Sequence, residues 1–471
     1  MTHHVTIIGG GIAGLATAFY LQKKSREAGA DVAYTLIEAE PRLGGKIVTD
    51  RADGFVIEGG PDSFITQKPW GMQLCRELGL TDRLIPTNDD QRHVFLVQNG
   101  KLVPFPGGFT LVPTQFLPFA LSPLFSLLGK LRMGMELFIP PQKEAGDESL
   151  AHFLRRRLGD EALDKIGPLM AGIYTADPER LSLASTFPRF REMEQKYGSM
   201  TKGMLAAKKL RPPPTAGSKP MSMFTSLQGG MSEMVDVLVD HLGGDLRPGC
   251  RVTGLRSLSP GFEVRLNANE DAITTDAVVL AVPAFAAADL LAPVAPTLSA
   301  QLKAVRYISS GTVSLGFRRS DVAHQHDFNG FGFMIPTSED RDIRACTWSS
   351  TKFNHRAPDD AVLLRAFVGG HFREHQLDMS DDDLVAMVRS EIAQVMGVTA
   401  EPAVHRVYRW PLGNPQYDVG HLDRVDDMDA LAAAIPGLYL TGSSYRGIGT
   451  PDCTRWAQET TDRILAEGRG Q

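Results

Sequence analysis

Near the amino terminus Gly9, Gly10, Gly11, Ile12, Ala13 and Gly14 form a G-x-G-x-x-G string. In such a string Gly9 permits a tight turn, Gly11 lets a pyrophosphate approach the backbone, and Gly14 lets a helix pack closely on a strand. The helix amino terminus then faces the phosphates. Glu38, followed by Ala39, stands where an acid suits ribose hydroxyls and would repel a 2′-phosphate. Directly after it, Arg42-Leu43-Gly44-Gly45-Lys46 supplies two cations and two glycines, enough for a second loop to close over the nucleotide; this favours FAD over NAD. Further on, Gly59-Gly60-Pro61-Asp62-Ser63-Phe64 offers a compact turn where a ribityl chain or isoalloxazine could lie, although alone it is equally a surface turn. Gly442, then Gly447-Ile448-Gly449 before the last helical stretch, provide a second helix amino terminus for the flavin end; Gly442 alone is equally a strand-ending glycine. The chemistry implied is redox chemistry on a bound FAD.

Those residues need a sheet to hold them. His4 to Ile8 is an apolar run ended by three glycines, Ala13 to Lys24 has helical spacing, and Val32 to Ile37 is a second strand, which completes a βαβ unit. Asp276 to Val282 and Leu438 to Thr441 look like later strands of the same sheet, and a helix is expected from about Thr454 to Ala466. The nucleotide domain is therefore discontinuous. Residues 211 to 220, with four prolines, form an extended connector. Leu102 to Gly129 contains no charged residue, and prolines at 104, 106, 113, 118 and 123 forbid a continuous spanning helix. Its leucines and phenylalanines either touch a bilayer surface or line a cavity or core.

A chain of 471 residues with 43% hydrophobic and 22% charged residues has room for more than one core. The net charge of −6 argues against nucleic-acid binding. Cys75, Cys250, Cys346 and Cys453 form no C-x-x-C pair and read as reduced thiols of a cytoplasmic protein, with no secretory signal ahead of the first strand. The twelve histidines show no ligand spacing, so no metal is expected. Arg155-Arg156-Arg157 reads as a solvated helix face rather than an anion site. No His or Cys sits in a flavin-attachment motif, so the FAD is expected to be non-covalent.

Taken together, Gly9 to Gly14, Arg42 to Lys46, Gly60 to Phe64, Met170 to Tyr174 with Asp177-Pro178, and Gly442 to Gly449 with Pro451-Asp452-Cys453 resemble the oxygen-dependent porphyrinogen oxidases, above all the bacterial ones of haem synthesis. The resemblance runs essentially end to end. It implies an α/β fold with a Rossmann-like FAD-binding domain of amine-oxidase type (1–68, 222–292 and 405–471), an α+β substrate domain (69–74, 191–221 and 293–404) and a helical membrane-associating domain (75–190). It also implies peripheral membrane contact through 102–129, a tetrapyrrole substrate and O2 as acceptor. FAD contacts carry over to Gly9, Gly11, Gly14, Glu38, Lys46, Gly60 to Ser63, Val252 through its backbone, Trp410 and Gly447 to Gly449. On the substrate side Gly172 matches a glycine whose carbonyl lies near the macrocycle, Phe367 an aromatic that stacks on a pyrrole, and Lys68 a basic position that could meet a propionate. Thr81 replaces an arginine of the plant and animal enzymes, and Thr450 an apolar residue of many bacterial ones. The resemblance leaves open whether coproporphyrinogen III or protoporphyrinogen IX is oxidised. The alternatives are another flavin oxidase or desaturase of the amine-oxidase superfamily, or a flavin-free carrier on the same fold.

Overall fold

The computed structural model describes residues 2–106, 112, 115–142, 146–210, 222–267 and 272–468. The expected connector 211–220 and part of the charge-free segment lie outside the described residues.

Five parallel strands form the nucleotide sheet in the order Asp245–Arg247, Val32–Ile37, His3–Ile8, Ala277–Leu280 and Leu438–Leu440. The late apolar strands therefore do return to the first sheet, as their patterns predict. Apart from the edge strand Asp245–Arg247, the strands are short and largely apolar on both faces because helices cover both. On one side the helices Ile12–Ala28, Ser232–His241 and Thr450–Gly468 enclose Val5, Ile7, Leu15, Leu36 and Ala457; on the other, Ala284–Leu291 and His421–Ala433 pack over Ile8, Val278 and Leu280. The last helix begins at Thr450, four residues earlier than its periodicity suggests, because Thr450 and Pro451 are already helical.

A second, mixed sheet of seven strands runs in the order Val404–Pro415, Tyr307–Arg318, Ala361–Gly369, Ala345–Trp348, Gly332–Met334, Val94–Gln98 and Lys101–Pro104. All its neighbours are antiparallel except Gly332–Met334 with Val94–Gln98. One face buries Val362, Leu364, Ala366 and Val368 against the helix Asp381–Met396. Residues 94–104, assigned by resemblance to the helical part, are strands of this sheet, which corrects that boundary. Val94 to Val97 and Leu102-Val103 are consecutive apolar residues, so no alternation marks these strands in the sequence.

The helices Phe116–Leu121, Leu127–Gly134, Leu150–Leu158, Asp160–Ala171, Pro188–Tyr197 and Met200–Leu210 gather around Phe119, Phe125, Phe153, Leu154 and Ile166. That core also takes in Leu96 from the mixed sheet and Tyr417 beyond it, so the helices share one interior with the strands. The arginine run is not a solvated face. Arg157 is fully buried against Glu194 and Glu136, Arg156 pairs with Glu194 and Glu148, and of the three Arg155 is the one paired at the surface. A charged run on a helix looks the same in sequence whether its partners are water or carboxylates from distant helices. Among the described residues no helix is long and apolar enough to cross a membrane.

Candidate functional site

The carboxyl ends of the parallel strands meet in one crevice, the place where open α/β sheets bind ligands. Gly9 leaves the first strand at φ +111°, and a Cβ there would stand 2.6 Å from the Ala281 carbonyl oxygen. At Gly14 a Cβ would fall 1.9 Å from the Gly9 carbonyl, which is why helix and strand approach so closely. Gly11 differs: a Cβ would find its nearest atom 4.0 Å away, so the backbone edge is open. No side chain caps the Ile12–Ala28 helix, whose first-turn amides remain available. These features fit a pyrophosphate.

Glu38 closes the crevice on one side. Its Oε2 accepts the Gly10 amide at 2.6 Å and its Oε1 the Glu40 amide at 2.9 Å. The Cys250 amide donates to the Glu38 carbonyl at 2.9 Å, which brings the start of the Val252–Ser257 strand beside this end. The second loop lies where the sequence suggests: the Gly44 amide donates to the Gly10 carbonyl at 2.7 Å. Arg42 does not reach into the crevice. Its guanidinium donates to the carbonyls of Leu43 and Ile47, both at 2.9 Å, and of Gly45, so the cation braces its own loop.

From Lys46 the site continues toward the mixed sheet. A Cβ on Gly60 would meet the Lys46 carbonyl oxygen at 1.8 Å, which makes glycine obligatory where the two loops touch. Lys46 Nζ donates to the Gly413 carbonyl, and burial lowers its pKa. The Trp410 indole donates to the Gly59 carbonyl at 2.9 Å, so that tryptophan anchors the Gly59–Ser63 turn to the Val404–Pro415 strand. Asp62 pairs with Lys352 at 2.7 Å; burial alone would raise its pKa, but Lys352 and Arg365 hold the carboxyl below the ordinary range. Arg365 is buried and donates to the Gly60 carbonyl at 2.5 Å. Sequence reasoning missed Arg365 and Lys352; the available signal was one arginine inside the apolar strand Ala361–Gly369.

Phe367 follows Arg365 on the same face of that strand, opposite the face of Leu364 and Ala366, with the Arg365 guanidinium 5.1 Å from its ring. Gly172 ends the helix Asp160–Ala171, and a Cβ there would lie 3.8 Å from Met334 Cε on the mixed sheet. Lys68 is committed elsewhere, donating to both Asp452 oxygens at 2.6 and 2.7 Å in the first turn of the last helix. At Gly447 a Cβ would collide with Asp452 at 2.4 Å, whereas Gly442 has nothing nearer than Ala13 Cβ at 3.7 Å. Gly442 thus faces the first helix across open space, and Ile448 and Gly449 lead into Thr450, which is buried. Thr81 opens a short 3-10 turn whose Arg83 pairs with Glu233 at 2.5 Å. All four cysteines are unpaired, and burial pushes the thiols of Cys75, Cys346 and Cys453 up to about 12.

The family of flavin containing amine oxidoreductases matches residues 12–465. The chain is similar to coproporphyrinogen III oxidase of Bacillus subtilis (strain 168), 40% identical over 457 residues, or 96% of this chain and 95% of that one. It is similar also to protoporphyrinogen oxidase 1, chloroplastic, of Arabidopsis thaliana, at 29% identity over 98% of this chain and 88% of that one. A solved structure from Exiguobacterium sp. 255-15, provisionally named a protoporphyrinogen oxidase, matches with TM-score 0.87 and 32% identity over 99% of both chains.

Proposed function

The chain belongs to the family of flavin containing amine oxidoreductases, and from that premise we propose that it is an FAD-dependent porphyrinogen oxidase of haem biosynthesis acting on coproporphyrinogen III. The observation that carries this is the end-to-end similarity to porphyrinogen oxidases, which takes in the nucleotide crevice and the Phe367 face of the mixed sheet together. Coproporphyrinogen III is chosen because, of the two named relatives above, the one that carries its name is 40% identical and the other 29%. Bound FAD supplies the acceptor for hydride removed from a macrocycle carbon.

The chain's own residues bind and orient. The open edge at Gly11 and the first-turn amides of Ile12, Ala13 and Gly14 would hold the pyrophosphate. Glu38 would accept ribose hydroxyls with the lone pairs its two amide partners leave free, and Val252 would touch the same end through its backbone. Lys46, Gly60 to Ser63, Trp410 and Gly447 to Gly449 would line the flavin end. Phe367 would stack on a pyrrole, with Gly172 across the gap. No side chain is needed as a general base. Conversion of the porphyrinogen to the porphyrin removes six electrons and six protons, matched by reduction of three O2 to three H2O2.

Peripheral membrane contact belongs to this proposal as well. Phe116, Leu117, Leu121, Leu127, Leu128, Leu131 and Phe138 are all exposed within the two short helices and the turn that follows them, an apolar surface of the kind that lies on a bilayer. An oxygen-electrode assay tests the reaction. Three O2 consumed per coproporphyrin III formed, with peroxide recovered in the same ratio, is the expected result; porphyrin formation no faster than with heat-denatured protein would overturn it.

A further inference from the structure

Around the Gly172 to Asp177 turn, beside the mixed sheet, several arginines and a histidine gather with acidic partners. Arg306 and Arg180 share Asp418, each at 2.9 Å. Arg373 pairs with Asp340 at 2.7 Å and Asp342 at 3.0 Å, and His371 Nε2 lies 3.2 Å from Asp177. Arg344 is left over. Its side chain is half-buried and makes no ion pair or hydrogen bond among the described residues.

The backbone of Arg344 ties it to the substrate side. Its amide donates to the Phe367 carbonyl at 3.1 Å and its carbonyl accepts the Ile335 amide at 3.0 Å, next to the Met334 that underlies Gly172. Arg344 is thus bonded through its backbone directly to Phe367, and through Ile335 it adjoins the Met334 that underlies Gly172. Burial lowers its pKa, and the Arg373 guanidinium adds to that while Asp340 opposes it. His371 is likewise lowered, by burial first and then, against Asp177, by Arg306, Arg344 and Arg180. Four guanidiniums, Arg180, Arg306, Arg344 and Arg373, thus stand against four carboxylates, Asp177, Asp340, Asp342 and Asp418, and among the described residues Arg344 is the one of the four guanidiniums without an ion pair. A guanidinium partly withdrawn from water with its donors unused is costly, and a carboxylate accepting two parallel N–H bonds would remove that cost.

Resting on the functional reading above, we infer that Arg344 is a specificity-determining residue whose guanidinium binds a propionate carboxylate of the porphyrinogen. Coproporphyrinogen III carries more propionates than protoporphyrinogen IX, so an added cation here favours the former.

Binding of the product coproporphyrin III to the FAD-loaded protein, followed by porphyrin fluorescence, tests the inference. R344L should raise the dissociation constant about tenfold or more, R344K should recover part of the loss, and the tetramethyl ester of coproporphyrin III should bind wild type and R344L alike. Retained FAD and an unchanged thermal midpoint exclude misfolding; should R344L fail that control, R344Q takes its place. R344L binding the free acid within about twofold of wild type, or losing the ester as strongly as the acid, overturns the inference. A wild-type protein that binds coproporphyrin III in neither form overturns the functional reading, and the inference with it.

Discussion

Glu38 spends both carboxylate oxygens on backbone amides, one of them inside the glycine string, so it shapes the crevice as well as facing its ligand. Glu38→Ala should weaken FAD by about 1–3 kcal/mol, roughly 5- to 150-fold in dissociation constant, measured by flavin fluorescence on reconstitution of the apoprotein. An unchanged constant would remove Glu38 from the site. A second residue has a pH signature. His421 is buried, stacked on Tyr417 at 3.9 Å, with Nε2 2.7 Å from the Tyr445 carbonyl. Burial lowers its pKa to about 4, the Tyr445 bond opposing. Above about 6.5 the ring is neutral folded and unfolded alike. As pH falls toward 4 only the unfolded chain takes up the proton, so stability declines across that window. Thermal unfolding of the FAD-loaded protein should show the decline, with His421→Gln flattening it; identical slopes would refute the assignment. At this scale the glycine string and Glu38 were legible because their geometry is local. Arg365, Lys352 and Arg344 were not, since each acquires meaning from a strand or loop distant in sequence.

The charge-free segment shows what an element's composition leaves undecided. Leu117 is 65% exposed and Phe119 is 6% exposed, packed on Phe125 with ring centroids 5.7 Å apart. The residues of one short helix thus divide between the two expectations, surface and core, according to which way the helix turns. Leu117→Ser with Leu128→Ser should lower liposome flotation and leave the unfolding midpoint unchanged. Phe119→Ser should instead cost about 3 kcal/mol or more of stability. Flotation equal to wild type in the double variant would remove these leucines from the membrane contact. Prolines excluded a spanning helix correctly, but nothing in the sequence could say which side of each helical turn is dry. The arginine run teaches the same point in reverse: the buried carboxylates that claim Arg156 and Arg157 come from helices that only the tertiary fold brings near.

At the scale of the whole molecule, two sheets built from interleaved stretches of chain hold one continuous line of contacts. It runs from Glu38 through the glycine string, the Arg42–Lys46 loop and the Gly59–Ser63 turn to Trp410 and Arg365. Four strands of the parallel sheet were readable as apolar runs ended by glycine, proline or an acidic residue, whereas the fifth, Asp245–Arg247, has only one apolar residue and was not. The mixed sheet was less readable: Val94–Gln98 and its hairpin partner Lys101–Pro104 join it ahead of the helical stretch, and the strand Gly332–Met334 that pairs with Val94–Gln98 lies more than two hundred residues away. On the functional reading proposed above, this line of residues would hold FAD beside the porphyrinogen that passes hydride to it. The most direct measurement is anaerobic mixing of the FAD-loaded protein with coproporphyrinogen III in a stopped-flow spectrophotometer, followed by admission of air. The oxidised-flavin absorbance should be lost before air is admitted and return with porphyrin fluorescence afterwards. A flavin spectrum that coproporphyrinogen III leaves unchanged, in protein that holds its FAD, would contradict that reading.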